Sequence, residues 1–531
     1  MTWLPAEVRK LAPGPRRVIL GIALAGCLLR LFFWFYTGRT WEDALITVLH
    51  SENFGRGLGL THHHPGYGPV HGFTSPLSVL IPLAADAFHP GWGLPLIRLV
   101  SAVIAIPTVL AAAGIALNPA FGLPVWLVYL LCGYLAFEHH QILWGMAGME
   151  TQVAVFAAFL VMYHALKRSP RALGVAMALC LYARPDFAIL LVFVMLYLLL
   201  TDRRLAARSL LIAAAMYAPW VIFTTWYYGS PVPNTVVAKG LGYRLWTLHT
   251  PFLSAAFFAN VWARVYAYIF LPLGPSFASH GSGFVPFRDG GWISRFTLLL
   301  ILAGIAAMAT RFHRFYVIPI GALAAYSAYY VFCVAGIFGW YLMPFTAVNV
   351  LLLVLGLGAL FARFFQPRDA AVLARAACVL YLLPFVAVLP FTFRADRAIQ
   401  RYIEVARKNI GLYLYAHKQP GDQVGCEPLG NIGYYSRMPV LDYPGLASPE
   451  VTALLKRDPS RRSLERMLDY FRPRWIVLRE QEYRYILRYM KFIETDYRIE
   501  KVFTADPEHT GAIFRADHNI DLCFYLLKRR S

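Results

Sequence analysis

The chain has 531 residues, 58% of them hydrophobic and only 15% charged, with a mean hydropathy of +0.52. Soluble domains are about 45–50% apolar and about 25% charged, so the composition excludes a soluble enzyme and requires a polytopic membrane protein. The net charge of +20 is spread over short loops between apolar runs, where basic residues set orientation rather than bind nucleic acid.

In chain order, apolar runs that can cross a bilayer are read at 18–36, 76–89, 94–114, 147–166, 171–184, 186–201, 205–227, 292–310, 315–336, 341–362 and 371–394. The first is full length and lacks a small-residue cleavage site, so it is expected to stay as an anchor. Basic clusters at Arg9–Arg17, Lys167–Arg171, Arg203–Arg208, Arg311–Arg314 and Arg363–Arg368 are expected on the cytoplasmic side. Parity then places the loop at 37–75, the Gly148-Met149-Glu150 turn, Arg184-Pro185-Asp186, the 228–290 loop and the Trp340-Tyr341 turn on the outer face. Two stretches are ambiguous: 119–137 crosses twice or not at all, and 251–275 suits a helix lying in the interface. The expectation is 11–13 spans.

Residues 395–531 change character. An amphipathic helix near 397–417 leads to a short strand at Gln423–Cys426, helix starts at Ser448 and Ser463, and strand-like runs at Trp475–Leu478 and Gly511–Phe514. This predicts a membrane domain at 1–394 and a C-terminal soluble α/β domain at 395–531 on the extracytoplasmic side. Of seven cysteines, five lie in apolar runs as small hydrophobes. Cys426 and Cys523 can pair if their domain faces an oxidising compartment.

The chemistry is expected in the first outer loop. Trp41-Glu42-Asp43 places two carboxylates at the bilayer edge, where charge is costly and marks function. Glycines at 55, 57 and 59 and the run Gly66–Pro69 follow, with His62, His63, His64 and His71 between them and the next span. Glycine allows close backbone approach to a ligand, and a long loop in a compact domain is more often functional than a spacer.

Glu42-Asp43-Ala44, Gly57-Leu58-Gly59-Leu60 and Gly72-Phe73-Thr74-Ser75-Pro76-Leu77 together resemble the first-loop signature of GT-C membrane glycosyltransferases. The nearest group is that of the mycobacterial terminal arabinofuranosyltransferase (arabinosyltransferase B-like). Four later motifs agree in order: Gly148–Thr151, Ala183–Asp186, Tyr228–Thr235, and Gly430–Tyr435 before Asp442. The group usually reads Asp-Asp-Ala, so Glu42 departs from it at the first position.

The resemblance implies a GT-C fold. It also implies transfer of a sugar, arabinofuranose being one candidate, from a polyprenyl-phosphate donor to a glycan, lipid or protein acceptor on the outer face of a bacterial inner membrane. Glu42 or Asp43 would take the acceptor proton, Glu42 being the family's base position; the alternative is a helix N-terminal charge. Arg184, Lys239 and Arg56 are candidates for the donor phosphate, with Arg98 and Arg30 less placeable. Arg184 reads equally as an ion-pair partner of Asp186, and Lys239 as a solvated charge. Trp41, Glu150, Asp186, Tyr228, Asn234 and His71 are candidate substrate contacts; Trp41 reads also as an interfacial belt residue and Glu150 as a helix-start charge. A divalent cation would fall to Glu42, Asp43 and Glu150 before the histidines. A lipid or sugar transporter or flippase is the competing reading, weakened by the lack of an inverted repeat. A docking protein of the envelope is the third. Convergence of Glu42, Asp43, Glu150 and Arg184 on one outer cavity separates the enzyme from both.

Overall fold

The computed structural model describes all residues except 1–3, 63–67, 244, 246, 248–249, 279–283, 287–290, 311, 335–336, 506–521 and 531. His63, His64 and the strand-like run expected at 511–514 lie outside the described residues.

Among the described residues, eight helices are long and apolar enough to cross a membrane: Pro13–Thr37, Gly93–Ala116, Arg203–Tyr228, Ala255–Leu273, Gly291–Thr310, Arg314–Cys333, Gly339–Phe364 and Pro367–His417. The pair His139–Met146 and Thr151–Lys167, bent by 116°, reaches that length and apolarity only when taken together. The molecule is an integral membrane protein. The larger count of 11–13 included segments that fold as shorter apolar helices, Leu77–Asp86, Val125–Phe137, Pro170–Ala183 and Pro185–Thr201. Each falls below the roughly 20 residues a full crossing needs. Proline punctuation explains part of this, since Pro170 and Pro185 each open a new helical segment. Ala255–Leu273, read as an interfacial helix, has the length and apolarity of a span.

The expected basic ends gather together. Lys167 pairs with Glu7, while Arg168 and Arg314 donate to the carbonyls of Thr201 and Leu200. The first span, Pro13–Thr37, leads away from that end and stops at Gly38, whose φ of 63° makes it a left-handed helix cap.

Pro367–His417 runs without a linker from the membrane core into the C-terminal domain, so the boundary expected at 394/395 falls inside a continuous helical run. Strands β1 (Ser276–Ala278) and β2 (Phe284–Pro286) form a small antiparallel hairpin in the membrane domain. The C-terminal domain holds β3 (Val424–Cys426), β4 (Val440–Asp442), β5 (Trp475–Arg479), β6 (Tyr497–Thr504) and β7 (Cys523–Arg529). Their order is β4-β3-β5-β7-β6, with β3 parallel to β4 and β5, and β7 antiparallel to β5 and β6. The parallel strands are connected through helices and buried throughout, as such sheets require.

One membrane-domain residue belongs to the core of this domain. Ile46, from the helix Glu42–Gly55, packs in a buried cluster with Ile410, Leu429, Ile432, Val440 and Trp475. The two parts therefore share apolar contacts at the surface where the polar loops meet.

Candidate active site

The helix that follows the first span, Glu42–Gly55, starts at a fixed point. Trp41 N–H donates to the Ala147 carbonyl at 3.0 Å, and Arg98 donates to the Arg39 carbonyl and the Thr40 hydroxyl. The Trp41 ring meets Trp144 and Trp340 edge-on, at 4.4 and 5.5 Å between centroids. Glu42 and Asp43 then occupy the first turn, where the helix macrodipole favours carboxylates. Neighbouring helical residues diverge by about 100°, and the two carboxylates face different surroundings.

Glu42 is turned towards the C-terminal domain. Its Oε2 lies 2.6 Å from Arg407 Nη1, and its Oε1 accepts the Gly430 N–H at 2.9 Å. Burial pushes its pKa up to about 7, with Arg407 acting in the opposite direction. A glycine is needed at 430, since a Cβ there would lie 2.2 Å from the Glu42 carbonyl oxygen.

Asp43 is half-buried, and among the described residues its carboxylate accepts no hydrogen bond. It lines two adjoining cavities. Burial raises its pKa, and the charge of Lys239 partly offsets this. Ile46, Lys239, Trp340 and Leu446 also line both spaces.

The first cavity is floored by the membrane domain. Glu150 and Ser75 line it, and Thr74 and Thr235 join hydroxyls at 2.9 Å. Glu150 is held there by the sharp turn at Gly148, whose φ is 97°; a Cβ at Gly148 would crowd Leu94 and Ala44. The second cavity is closed by Tyr243 and, from the C-terminal domain, Arg407, Glu427 and Arg479, with Arg479 Nη2 at 2.5 Å from Glu427.

Lys239 Nζ donates to the Tyr341 hydroxyl at 2.6 Å and lies over the Phe338 and Tyr341 rings. Burial works against its charge, but Tyr341 and Asp43 outweigh burial and hold its pKa above the usual value. Arg184 stands one layer behind. It makes a two-pronged pair with Asp186 at 2.9 Å, donates to the Trp340 carbonyl at 3.3 Å and lies 4.7 Å from the Tyr341 ring centroid. Asp186 also accepts from the Tyr330 hydroxyl at 3.3 Å.

Other expected contacts lie away from the cavities. Asn234 fastens the domains: its Nδ2 donates to the Gly445 carbonyl at 2.6 Å, and its Oδ1 accepts from Thr452 at 3.1 Å. His71 is buried and stacked on Tyr228 at 4.6 Å, and Tyr228 donates to the Leu60 carbonyl. Burial holds His71 down to about 4, so it is neutral at neutral pH. Arg56 lies at the far end of the helix beside Glu52. Arg30 is buried and donates to Gln152 and to carbonyls of residues 26, 135, 136 and 141.

The donor set does not fit a metal. Glu42 is committed to Arg407 and Gly430, away from Glu150, and among the described residues no three His, Cys, Asp or Glu side chains group as ligands. Sequence reasoning missed the residues that the C-terminal domain supplies: Glu404, Arg407, Glu427 and Arg479. Glu404 and Arg407 share a helix at i,i+3 spacing within the amphipathic stretch already noted, the one available signal. Glu404 continues the polar seam, pairing with Arg39 at 3.0 Å and accepting from Asn431 at 3.1 Å.

Among solved structures, the chain resembles the Archaeoglobus fulgidus oligosaccharyltransferase in its apo form, with TM-score 0.56 and 12% identity over 88% of this chain and 69% of that one. It also resembles ArnT from Cupriavidus metallidurans bound to undecaprenyl phosphate, with TM-score 0.52 and 14% identity over 97% and 98%. A third is archaeal AglB from A. fulgidus in complex with an inhibitory peptide and a dolichol-phosphate, with TM-score 0.53 and 11% identity over 88% and 69%. At these identities the likeness establishes the fold. It is the GT-C membrane fold with a C-terminal domain built on a small sheet. A family model described as "Domain of unknown function (DUF8728)" matches residues 395–522. No curated protein matches the chain.

Proposed function

We propose that this chain is a membrane glycosyltransferase that moves a sugar from a polyprenyl-phosphate donor to an acceptor hydroxyl on the outer face of a bacterial inner membrane. One observation carries the reading. Asp43 presents a carboxylate without a hydrogen-bond partner among the described residues to two adjoining cavities, and Lys239 lines both. An acceptor hydroxyl is a poor nucleophile at neutral pH, and a positioned carboxylate removes its proton as the glycosidic bond forms. A part-buried ammonium nearby, that of Lys239, offsets the charge left on the departing phosphate.

In this reading Asp43 is the base, and Glu42 positions the helix that carries it. Lys239 meets the phosphate, with Arg184 holding the Trp340–Tyr341 turn behind it. Trp41, Trp340 and Glu150 contact sugar, and the second cavity, shared with the C-terminal domain, receives the acceptor. No step uses a metal. The fold shared with ArnT and the oligosaccharyltransferases supports a lipid-phosphate donor, and the ordered motifs support arabinofuranose as its sugar, with a glycan, lipid or protein as acceptor.

The test is to reconstitute the full chain in lipid nanodiscs and supply a panel of labelled polyprenyl-phospho-sugars with an envelope extract as acceptor. One sugar should be transferred by the wild type, and Asp43→Asn should lose transfer by at least about a hundredfold. Wild-type rates in Asp43→Asn would remove the assignment. Net movement of an intact lipid-linked sugar across the bilayer, without transfer, would favour the transporter.

A further inference from the structure

A third cavity opens at the other end of the helix Glu42–Gly55. It is walled by Asn53, Arg56, His62, Lys418 and Arg437. Residues 42, 46, 49, 53 and 56 follow one another at three- and four-residue steps, so they share one helix face. The cavity therefore lies on the same face as Glu42, about 15–20 Å further along at about 1.5 Å per residue. Leu429–Ser436 runs beside that helix, touching Glu42 through Gly430 and reaching Glu52 through Arg437 at its far end.

Among the described residues no carboxylate lines this cavity. Glu52 sits behind its wall, its Oε1 accepting from Arg56 at 2.5 Å and from Arg437 at 2.7 Å. Three cations against one carboxylate leave two positive charges uncompensated. Arg437 Nη1 is buried and has no hydrogen-bond partner among the described residues. Lys418 Nζ donates to the carbonyls of Ser436 and Arg437 at 2.8 and 3.0 Å, which leaves one N–H of three. Burial and then the charge of Arg437 hold its pKa below the usual lysine value, as expected in an unneutralised positive field.

Surface cations are ordinarily solvated and need no ligand. Here a buried guanidinium nitrogen without a partner is costly to leave so. A guanidinium fork, an ammonium and a further arginine form a donor set suited to a phosphate-class oxyanion.

We infer that this cavity is a second anion site, distinct from the Asp43 cavities, and that it binds a phosphate group. If the transferase reading holds, the group is carried by the acceptor, with its reactive hydroxyl a few sugar units away at Asp43.

Binding is measured without any transfer, so failure here is distinguishable from failure of the proposed function. The full chain in zwitterionic nanodiscs is titrated with labelled inorganic phosphate, in the wild type, Lys418→Gln, Arg437→Lys and Arg204→Gln. Arg204, at the opposite end of the spans, is the control, and Arg437→Lys keeps the charge on Glu52 while removing the second donor. Melting temperature checks folding. The expected result is binding in the wild type and in Arg204→Gln, weakened at least about tenfold in the other two. A second arm uses nanodiscs containing phosphatidylglycerol and measures the lipid retained on detergent extraction. Retention by the wild type and loss from Lys418→Gln, without phosphate binding, assigns the same site to a lipid headgroup. The inference is overturned if neither ligand is bound, or if binding is equal in all four proteins.

Discussion

Arg407 Nη1 lies 2.6 Å from Glu42 Oε2 and 3.5 Å from Glu404 Oε2. One guanidinium thus neutralises a carboxylate of the membrane domain and another of the C-terminal domain. The two deletions are therefore unequal. Glu42→Gln leaves Arg407 paired with Glu404 and should cost about 1–2 kcal/mol. Arg407→Met takes the cation from Glu42, whose remaining partner is the Gly430 N–H, while Glu404 keeps Arg39; it should cost more, about 3–5 kcal/mol. Denaturation of both variants in the same detergent checks the order; a larger loss for Glu42→Gln would mean that the seam is not organised around Arg407.

The pH profile of transfer should report Asp43. A base works when deprotonated, and burial raises its pKa above the ordinary aspartate value of about 3.9. The acid limb of kcat/KM should therefore lie above that value. Lys239 opposes the shift, so Lys239→Met should move the limb to still higher pH. By linkage the raised pKa favours the folded state most below the unfolded value, and this contribution is lost as pH rises through the folded one. A limb that stays in place in Lys239→Met would show that the two groups are not coupled.

Gly430→Ala should separate the domains locally. The added Cβ would meet the Glu42 carbonyl oxygen and Cγ at 2.2 and 2.3 Å, both on a helix fixed at Trp41. Overpacking of this kind costs about 1–3 kcal/mol, and the Gly430–Glu42 hydrogen bond should be lost with it. Accelerated amide exchange at 429–433 in Gly430→Ala would register the change. Unchanged exchange together with wild-type stability would mean that the seam has room to relax.

The membrane class and the C-terminal domain with its small sheet were legible because apolar length and the change of residue pattern after 394 are local properties of the chain. Span number was less so, since short apolar runs such as 171–184 and 186–201 count as crossings in the sequence but fold as helices below the length of a full span. The outer motifs were legible one at a time, but not their partners. The pairing of Glu42 with Arg407 joins residues 365 apart, and no periodicity reports such a contact. Glu42 and Asp43 are indistinguishable in sequence as candidate bases. They differ only because Gly430 and Arg407 arrive from the C-terminal domain and occupy one of them. Arg56 was singled out for its charge as a candidate for the donor phosphate, but helix length carries it well away from Asp43.

Asp442 tests whether the C-terminal domain shapes the cavities through a single loop. It is buried, and its carboxylate accepts the N–H groups of Gly445, Leu446 and Ala447 and the Ser448 hydroxyl. That fixes residues 443–448, whose Gly445 and Leu446 carbonyls receive Asn234 and whose Leu446 side chain lines both cavities. Asp442→Ala leaves three backbone donors without their acceptor and should cost about 3 kcal/mol or more. Asp442→Asn keeps one carbonyl oxygen and should cost less. Asn234→Ala removes the contact from the other side while leaving the loop folded, so it should raise KM for the acceptor more than it lowers the melting temperature. Kinetics and melting of the three variants decide the matter. If Asn234→Ala and Asp442→Ala change melting equally and leave KM untouched, the loop supports the domain's stability and has no part in forming the site.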